Sequence, residues 1–317
     1  MARVVVGVSG WAYPPWRGKF FPAVLPQRLE LAYTARRFNG IEINGTFYSL
    51  QRPAAYASWY EQTPAGFAFA LKGPRYITHM RRLKDVREPL ANFFASGPLL
   101  LCDKLGPILW QFPPHLRSNA DRLQAFFDLL PRDTAAAAAL ARGHSPWMTG
   151  RVHTQADALR PIRHAVEFRH ESFLNTEFVA LLREHNIAVV VADVAGAFPT
   201  AEDVTADWVY IRLHGSRELY RSGYTPREIE RWAHRIERWR DGAEPDDARR
   251  IGPPAPRARR GRDVFVFFDN TEVRLRAPVD ARRLAERLGV APPGTPRSIL
   301  GDLGVRNPRG RIARKIG

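Results

Sequence analysis

Cysteine is nearly absent. The 317 residues contain one, Cys102, so no disulfide can form within the chain. That usage fits a reducing compartment, and a cytoplasmic location is the expectation. Long apolar runs are also lacking. No stretch approaches the roughly 18 apolar residues that mark a membrane span. Residues 4–8 are apolar but too few, and lack the basic flank, for a signal peptide. The expectation is a chain with no membrane partner. Lysine is scarce: five, at positions 19, 72, 84, 104 and 315, against 43 arginines. No nucleophile elbow, P-loop, dinucleotide fingerprint or HExxH is found, so none of these motifs names a reaction.

What is present describes a soluble globular chain, with 45% hydrophobic and 25% charged residues. The net charge is +16, and residues 75–87, 249–263 and 297–315 carry fourteen of those charges. Basic segments outside a neutral body make a candidate footprint for a phosphate backbone, so nucleic acid is one expected partner. A compositional bias toward arginine yields the same loops without a partner.

Residues 40–50, GIEINGTFYSL, organise the chain. Residues 40–44 read as a strand whose period of two puts Glu42 and Asn44 on one face. A buried carboxylate is costly unless paired. Glu42 is therefore either a capping group or part of a site. The same grammar recurs. Strands are predicted at 3–9, 40–44, 67–71, 108–112, 164–168, 187–193, 207–213 and 263–268. Helices are predicted at 26–38, 53–60, 81–94 with a break at Pro89, 119–130, 175–185, 225–240 and 278–288. Thr225, Pro226 and Glu228 form a capping box, and Asn175 caps its helix.

Eight short buried strands, most followed by a helix, predict an α/β fold: a single (β/α)8 TIM-barrel-like domain over residues 1–290. The alternative, a doubly wound open sheet, lacks a Gly-rich phosphate turn after the first strand. Residues 134–160 read as an insertion or mobile excursion, and 241–262 as a disordered Pro/Gly/Arg insertion. Residues 291–317 read as a basic Pro/Gly/Arg-rich tail.

In such a barrel the chemistry sits at the C-terminal strand ends. Those positions are polar here: Ser9, Glu42, Asn44, Lys72, Gln111, Glu167, Arg169, Asp193, Arg212, His214, Asp269 and Asn270. Lys72 and Lys104 stand out because lysine is so rare; Lys72 is suited to hold an anion or, once desolvated, to act as a base. His79 follows Lys72. Trp11, Tyr13, Trp16, Phe47, Tyr48, Phe112 and Tyr224 are aromatics placed near the mouth, suited to stack a base or sugar or to pack the barrel top. Arg169, Arg212 and Lys72 offer charge-assisted bonds to phosphate or carboxylate. The same arginines and acids also allow plain mutual ion pairing. No metal ligand is assigned and no cofactor is required. A divalent metal on Glu42, Glu167, Asp193, His79, His170 and His214 is the alternative, opposed by the cations in the same ring.

The stretches SGWAYPPWRGKFFP, FNGIEINGTFYSL, FAFALKGPRYITH, KLGPILWQFPP, HAVEFRHESF, DWVYIRLHGS and RWAHRIERW occur in family order, within a resemblance that runs from about residue 4 to 289. Together they resemble the YecE-like family, a domain of unknown function. The resemblance implies a TIM-barrel-like fold and a bacterial cytosolic setting, and no established reaction. Its recurrent polar positions correspond to Glu42, Asn44, Thr46, Tyr48, Lys72, His79, Lys104, Gln111, Glu167, Arg169, Asp193, Arg212, His214 and Asn270. Asp269 departs from it, standing where the family usually has Asn.

The functional expectation is an enzyme, a hydrolase or lyase, on a phosphorylated or nucleic-acid-like anionic substrate at the barrel mouth. Glu42 or Glu167 would be the base, with Lys72 a further catalytic group. Lys72, Arg169 and Arg212 would hold the anion, and His214 or His79 would be the acid. Asn44, Tyr48, Lys104, Gln111, Asp193 and Asn270 would bind substrate. The alternatives are a non-catalytic nucleic-acid-binding protein using the basic loops and tail, and a small-molecule sensor or carrier.

Overall fold

A computed structural model describes residues 2–270, 275–292 and 294–305. Eight parallel strands close in chain order: β1 Val4–Ser9, β2 Gly40–Ile43, β3 Ala68–Lys72, β4 Leu105–Gln111, β5 His164–Glu167, β6 Ala188–Asp193, β7 Trp208–Leu213 and β8 Asp263–Phe268. The ring shuts where β1 pairs β8, Val4 beside Val264. The helices are α1 Glu30–Thr34, α2 Gly45–Tyr48, α3 Pro53–Gln62, α4 Arg87–Ala95, α5 Ala120–Leu129, α6 Thr134–Ala141, α7 Thr176–Glu184, α8 Pro226–Arg240, α9 Arg276–Arg287 and α10 Pro296–Asp302. The expected barrel is the observed one.

Alternation along the strands decides what faces inward. Val5, Ala70, Leu109, Val190, Tyr210 and Phe267 belong to one apolar cluster that fills the barrel. The other parity, such as Val4, Ile41 and Leu71, packs outward against helices. β1 and β2 approach so closely that a Cβ on Gly7 would lie 1.9 Å from the Gly40 carbonyl oxygen. Only glycine fits there.

Local signals hold where they are strong. Asn119, Asn175 and Thr225 each accept from a first-turn N–H, and Thr225 with Glu228 completes its box. The helix expected over 81–94 is shorter, because Pro89 is the third residue of α4, where its missing N–H costs no intrahelical bond. Before it, residues Tyr76–Met80 make one π turn, closed by the Arg81 N–H on the Tyr76 carbonyl at 2.8 Å. Arg82, Leu83 and Asp85 then adopt left-handed φ values of 50°, 66° and 49°.

Three expectations are corrected. Residues 134–160 are not a loose excursion. Asp133 caps α6, which packs Ala137, Ala138 and Ala141 inward, and Asn92 of α4 holds Ser145 by two bonds of 2.7 and 2.8 Å. Residues 241–262 are not disordered. No helix joins β6 to β7, and this loop meets the 194–205 connection on that flank. The Asp203 carboxylate accepts from the N–H groups of Ile251 and Gly252, each at 2.8 Å. The tail is helical at α10, which buries Ile299. The remainder of the basic tail, 306–317, lies outside the described residues. Among the described residues no helix is long and apolar enough to cross a membrane.

Candidate functional site at the barrel mouth

Carrying the inward parity one step toward the C-terminal ends gives Ser9, Glu42, Lys72, Gln111, Glu167, Arg212 and Asp269. The apolar filling therefore ends in a polar layer. Arg212 is its hub and is fully buried. It donates through Nε and Nη2 to the two Glu42 oxygens at 3.0 and 2.7 Å, through Nη1 to Glu167 at 2.6 Å, and through Nη2 to Asp269 at 2.8 Å. Glu42 also accepts from the Ser9 hydroxyl at 2.8 Å and the Tyr210 hydroxyl at 2.6 Å. Glu167 accepts further from Gln111 at 2.8 Å and from Arg169 Nε at 2.9 Å. Burial alone would raise a carboxylate, but Arg212 and Arg169, with His214 and Lys72, hold Glu167 well below the usual range. Burial likewise opposes ionisation of Asp269, and Arg212 and His214 overcome it, lowering that group to about 2. Burial works against the Arg212 charge, yet Glu42, Glu167 and Asp269 keep it firmly protonated.

The geometry of this layer bears on several expected roles. Glu42 accepts four hydrogen bonds at zero exposure, and Arg212 spends its donors on three carboxylates. The expected base Glu42 and anion-holder Arg212 form a closed framework. His214, the expected acid, is also fully buried; its Nδ1 lies 3.2 Å from Asp269, and its ring meets Tyr220 edge-on.

Lys72 differs from them. It is 7% exposed, and among the described residues no hydrogen bond or ion pair reaches its Nζ. The ammonium lies 4.2 Å from the centre of the Phe47 ring. Burial, followed by the Arg212 charge, lowers Lys72 to about 8 despite the nearby acids. His79 meets the same Phe47 ring edge-on at 5.0 Å. Burial lowers His79 to about 4, and Lys72, Arg169, Arg75 and His115 all push the same way. Arg169 reaches the Tyr220 hydroxyl at 3.3 Å and lies 4.5 Å from the Phe198 ring centre. Asn44 adds a buried Oδ1 without a hydrogen-bond partner. Thr46 donates to the Ile43 and Lys72 carbonyls at 3.0 and 2.8 Å, which ties α2, and so Phe47, to the end of β3.

Four expected residues lie elsewhere or at the margin. Lys104 precedes β4, so it stands at the opposite, N-terminal end, donating to the Tyr60 and Thr63 carbonyls at 2.5 and 2.6 Å. Asp193 has outward parity and lines a polar cleft of about 500 Å³ with Glu202, Arg231 and Arg235; burial raises its carboxyl. Asn270 also has outward parity and bonds the Ser222 carbonyl and Asp280 behind β8, at 3.0 and 3.2 Å. Tyr48 is 69% exposed on the rim. Of the aromatics, Trp16, Phe112 and Tyr224 are core, and Trp11 packs on Trp59. His170 caps Ser172 and takes no part.

Among the described residues no group of three His, Cys, Asp or Glu side chains could hold a metal ion. The donor set explains this: the inward carboxylates are spent on Arg212. Tyr210 was not anticipated, although its period-two step before Arg212 was the signal. Tyr220 and Phe198 come from loops with no local signal.

A family profile described as "Protein of unknown function DUF72" matches residues 5–299. UPF0759 protein YecE of Escherichia coli is 30% identical over 129 residues, which cover 40% of this chain and 44% of that protein. UPF0759 protein YunF of Bacillus subtilis is 26% identical over 116 residues, covering 35% of this chain and 40% of that protein. The matched stretch thus spans less than half the length of these curated relatives. A crystal structure of a DUF72 family protein from Thermotoga maritima superposes with a TM-score of 0.68 at 24% identity, covering 90% of this chain and 99% of that one. One from Enterococcus faecalis gives 0.63 at 16% identity, covering 93% and 99%. Both likenesses are of fold.

Proposed function

The chain belongs to the DUF72 family, and we propose that its barrel mouth binds a small phosphorylated substrate and transfers a proton on it. The observation that carries this reading is Lys72: nine-tenths buried and, among the described residues, without an ion-pair partner, while Glu42, Glu167 and Asp269 are each paired with an arginine. The charges of Lys72 and Arg169 both act on His79 beside the polar layer. An anion there would recover the cost of desolvating the Lys72 ammonium.

The framework then has a defined task. Arg212 holds three carboxylates in place by hydrogen bonds, so the field at Lys72 is set before substrate arrives. Lys72, at about 8, is poised to donate or accept a proton near neutral pH. His79, at about 4, is a neutral imidazole at that pH and supplies the second proton-transfer group. Glu167 orients Arg169 on the anion. The reaction class this supports is hydrolysis or elimination beside a phosphate.

Calorimetric titration with inorganic phosphate tests the binding half. Lys72→Met and Arg169→Ala are each expected to weaken affinity about tenfold or more; unchanged affinity in both contradicts it. Incubation with a metabolite extract tests the chemistry. A phosphorylated compound consumed by the wild type and spared by Lys72→Met is the expected result. No compound consumed would contradict catalysis.

A second reading is non-catalytic nucleic-acid binding. It is favoured by the exposure of all five basic residues at 75–87 and of Arg257, Arg259 and Arg260. Affinity for DNA or RNA that falls steeply with salt supports it.

A further inference from the structure

A groove of about 850 Å³ opens beside the mouth, walled by the β2 and β3 loops and by the segment following α6. Four of the eight large apolar side chains that stand exposed among the described residues line it: Tyr48 at 69%, Tyr76 at 47%, Met80 at 63% and Trp147 at 63%. Exposed aromatics gathered in one groove are uncommon on a surface with no partner. Neither Tyr76 nor Trp147 makes a ring contact with another aromatic among the described residues, and both are exposed.

The groove adjoins the anion site through Phe47. Phe47 lines it and also carries the Lys72 ammonium on its face. Arg75 lines it, is exposed, and has no hydrogen-bond or ion-pair partner among the described residues, while its charge reaches His79. Of the groove's acids, Asp85 lies 3.5 Å from the Arg81 guanidinium and Glu88 accepts from the Ser145 hydroxyl. The backbone that presents Tyr76 and Met80 is the π turn, followed by three left-handed residues. Such irregular backbone persists only where its surroundings over-determine it, often at binding sites.

We infer that this groove is a nucleobase subsite, so that the molecule held at the mouth is a nucleotide: phosphate at Lys72, Arg75 and Arg169, and base stacked among Tyr48, Tyr76, Met80 and Trp147. The inference rests on the anion reading above and adds the base to it. Exposed aromatic rings beside uncompensated cations are the combination that binds bases joined to phosphates. A sugar phosphate alone would leave most of the groove empty. The nucleotide is either free or the terminal residue of a single strand, and both share this chemistry.

The test compares inorganic phosphate, ribose 5-phosphate, adenosine 5′-monophosphate and a short 5′-phosphorylated single-stranded oligonucleotide on the full chain. The mononucleotide is expected to bind about tenfold tighter than ribose 5-phosphate, the size of one base–aromatic stack. Trp147→Ala with Tyr76→Ala, both exposed and so not needed for folding, should remove that difference and leave the affinity for ribose 5-phosphate unchanged. Tighter, salt-dependent binding of the oligonucleotide identifies the strand as the source; equal binding identifies the free nucleotide. Equal affinity for ribose 5-phosphate and the mononucleotide overturns the base subsite while the anion site stands. Failure of all four probes overturns both.

Discussion

Arg212 holds both carboxylate oxygens of Glu42, through Nε at 3.0 Å and Nη2 at 2.7 Å, across the inside of the barrel from β7 to β2. Each residue is completely buried. The pair is a fork-to-fork contact, and it converts the top of the apolar filling into a charged floor. Everything accessible at the mouth is arranged above it.

Glu42→Gln is therefore expected to act on stability before it acts on any ligand. Breaking a buried pair leaves charge uncompensated, and a loss of roughly 3 kcal/mol follows. Arg212→Lys should be similarly damaging, because an ammonium cannot serve three carboxylates in one plane. Urea unfolding of both variants checks this. Wild-type stability in Glu42→Gln would show that the contact is not structural.

Asp269 gives a pH window. Its folded carboxyl sits near 2 against an ordinary value of 3.8. A depressed folded value contributes stability above pH 4 that is lost as the pH falls toward 2. The shift corresponds to about 2 kcal/mol. Asp269→Asn should cost that amount at pH 7 and close to nothing at pH 2. The comparison of urea midpoints at the two pH values measures it.

Lys72 gives the opposite sign for binding. Anion affinity requires the ammonium, which is present below about 8. Sulfate, whose charge is constant across this range, should bind evenly below pH 7. Its affinity should fall by up to about tenfold per pH unit above 8. Lys72→Arg should hold affinity flat to pH 10, because guanidinium does not titrate there. A flat wild-type profile would exclude Lys72 from the site.

Asp203 holds the 241–262 segment in the place of the missing β6–β7 helix by bonding the Ile251 and Gly252 N–H groups. Asp203→Ala leaves two part-buried donors unpaired, a loss of about 2 kcal/mol. It should also expose the segment to trypsin at Arg249 and Arg250. Resistance equal to wild type would contradict this role.

The inward ring was legible because strand parity is strict. Glu42, Lys72, Gln111, Glu167 and Arg212 each fall on the step that continues an apolar inward face. The same rule, applied residue by residue, would have sent Asp193 and Asn270 outward, since each is one residue off that step. Lys104 precedes its strand rather than following it, which fixes it at the other end. The order of residues 134–160 and 241–262 was hidden for a different reason. An alanine run has no polar face to reveal its period, and a Pro/Gly/Arg loop acquires order from Asp203, about fifty residues away. What Arg212 binds could not be read locally either. Glu42 lies on β2, Glu167 on β5 and Asp269 just past β8, and only closure of the barrel brings them to one guanidinium.

The central claim is that Lys72 is the open cation of the mouth. The chain has only five lysines, so side-chain NMR of ε-carbon-labelled lysine resolves each one. One signal, absent in Lys72→Arg, should titrate near 8 and move upward when sulfate is added. A Lys72 that titrates at the ordinary lysine value of 10.5, or that does not respond to sulfate or phosphate, would contradict the account.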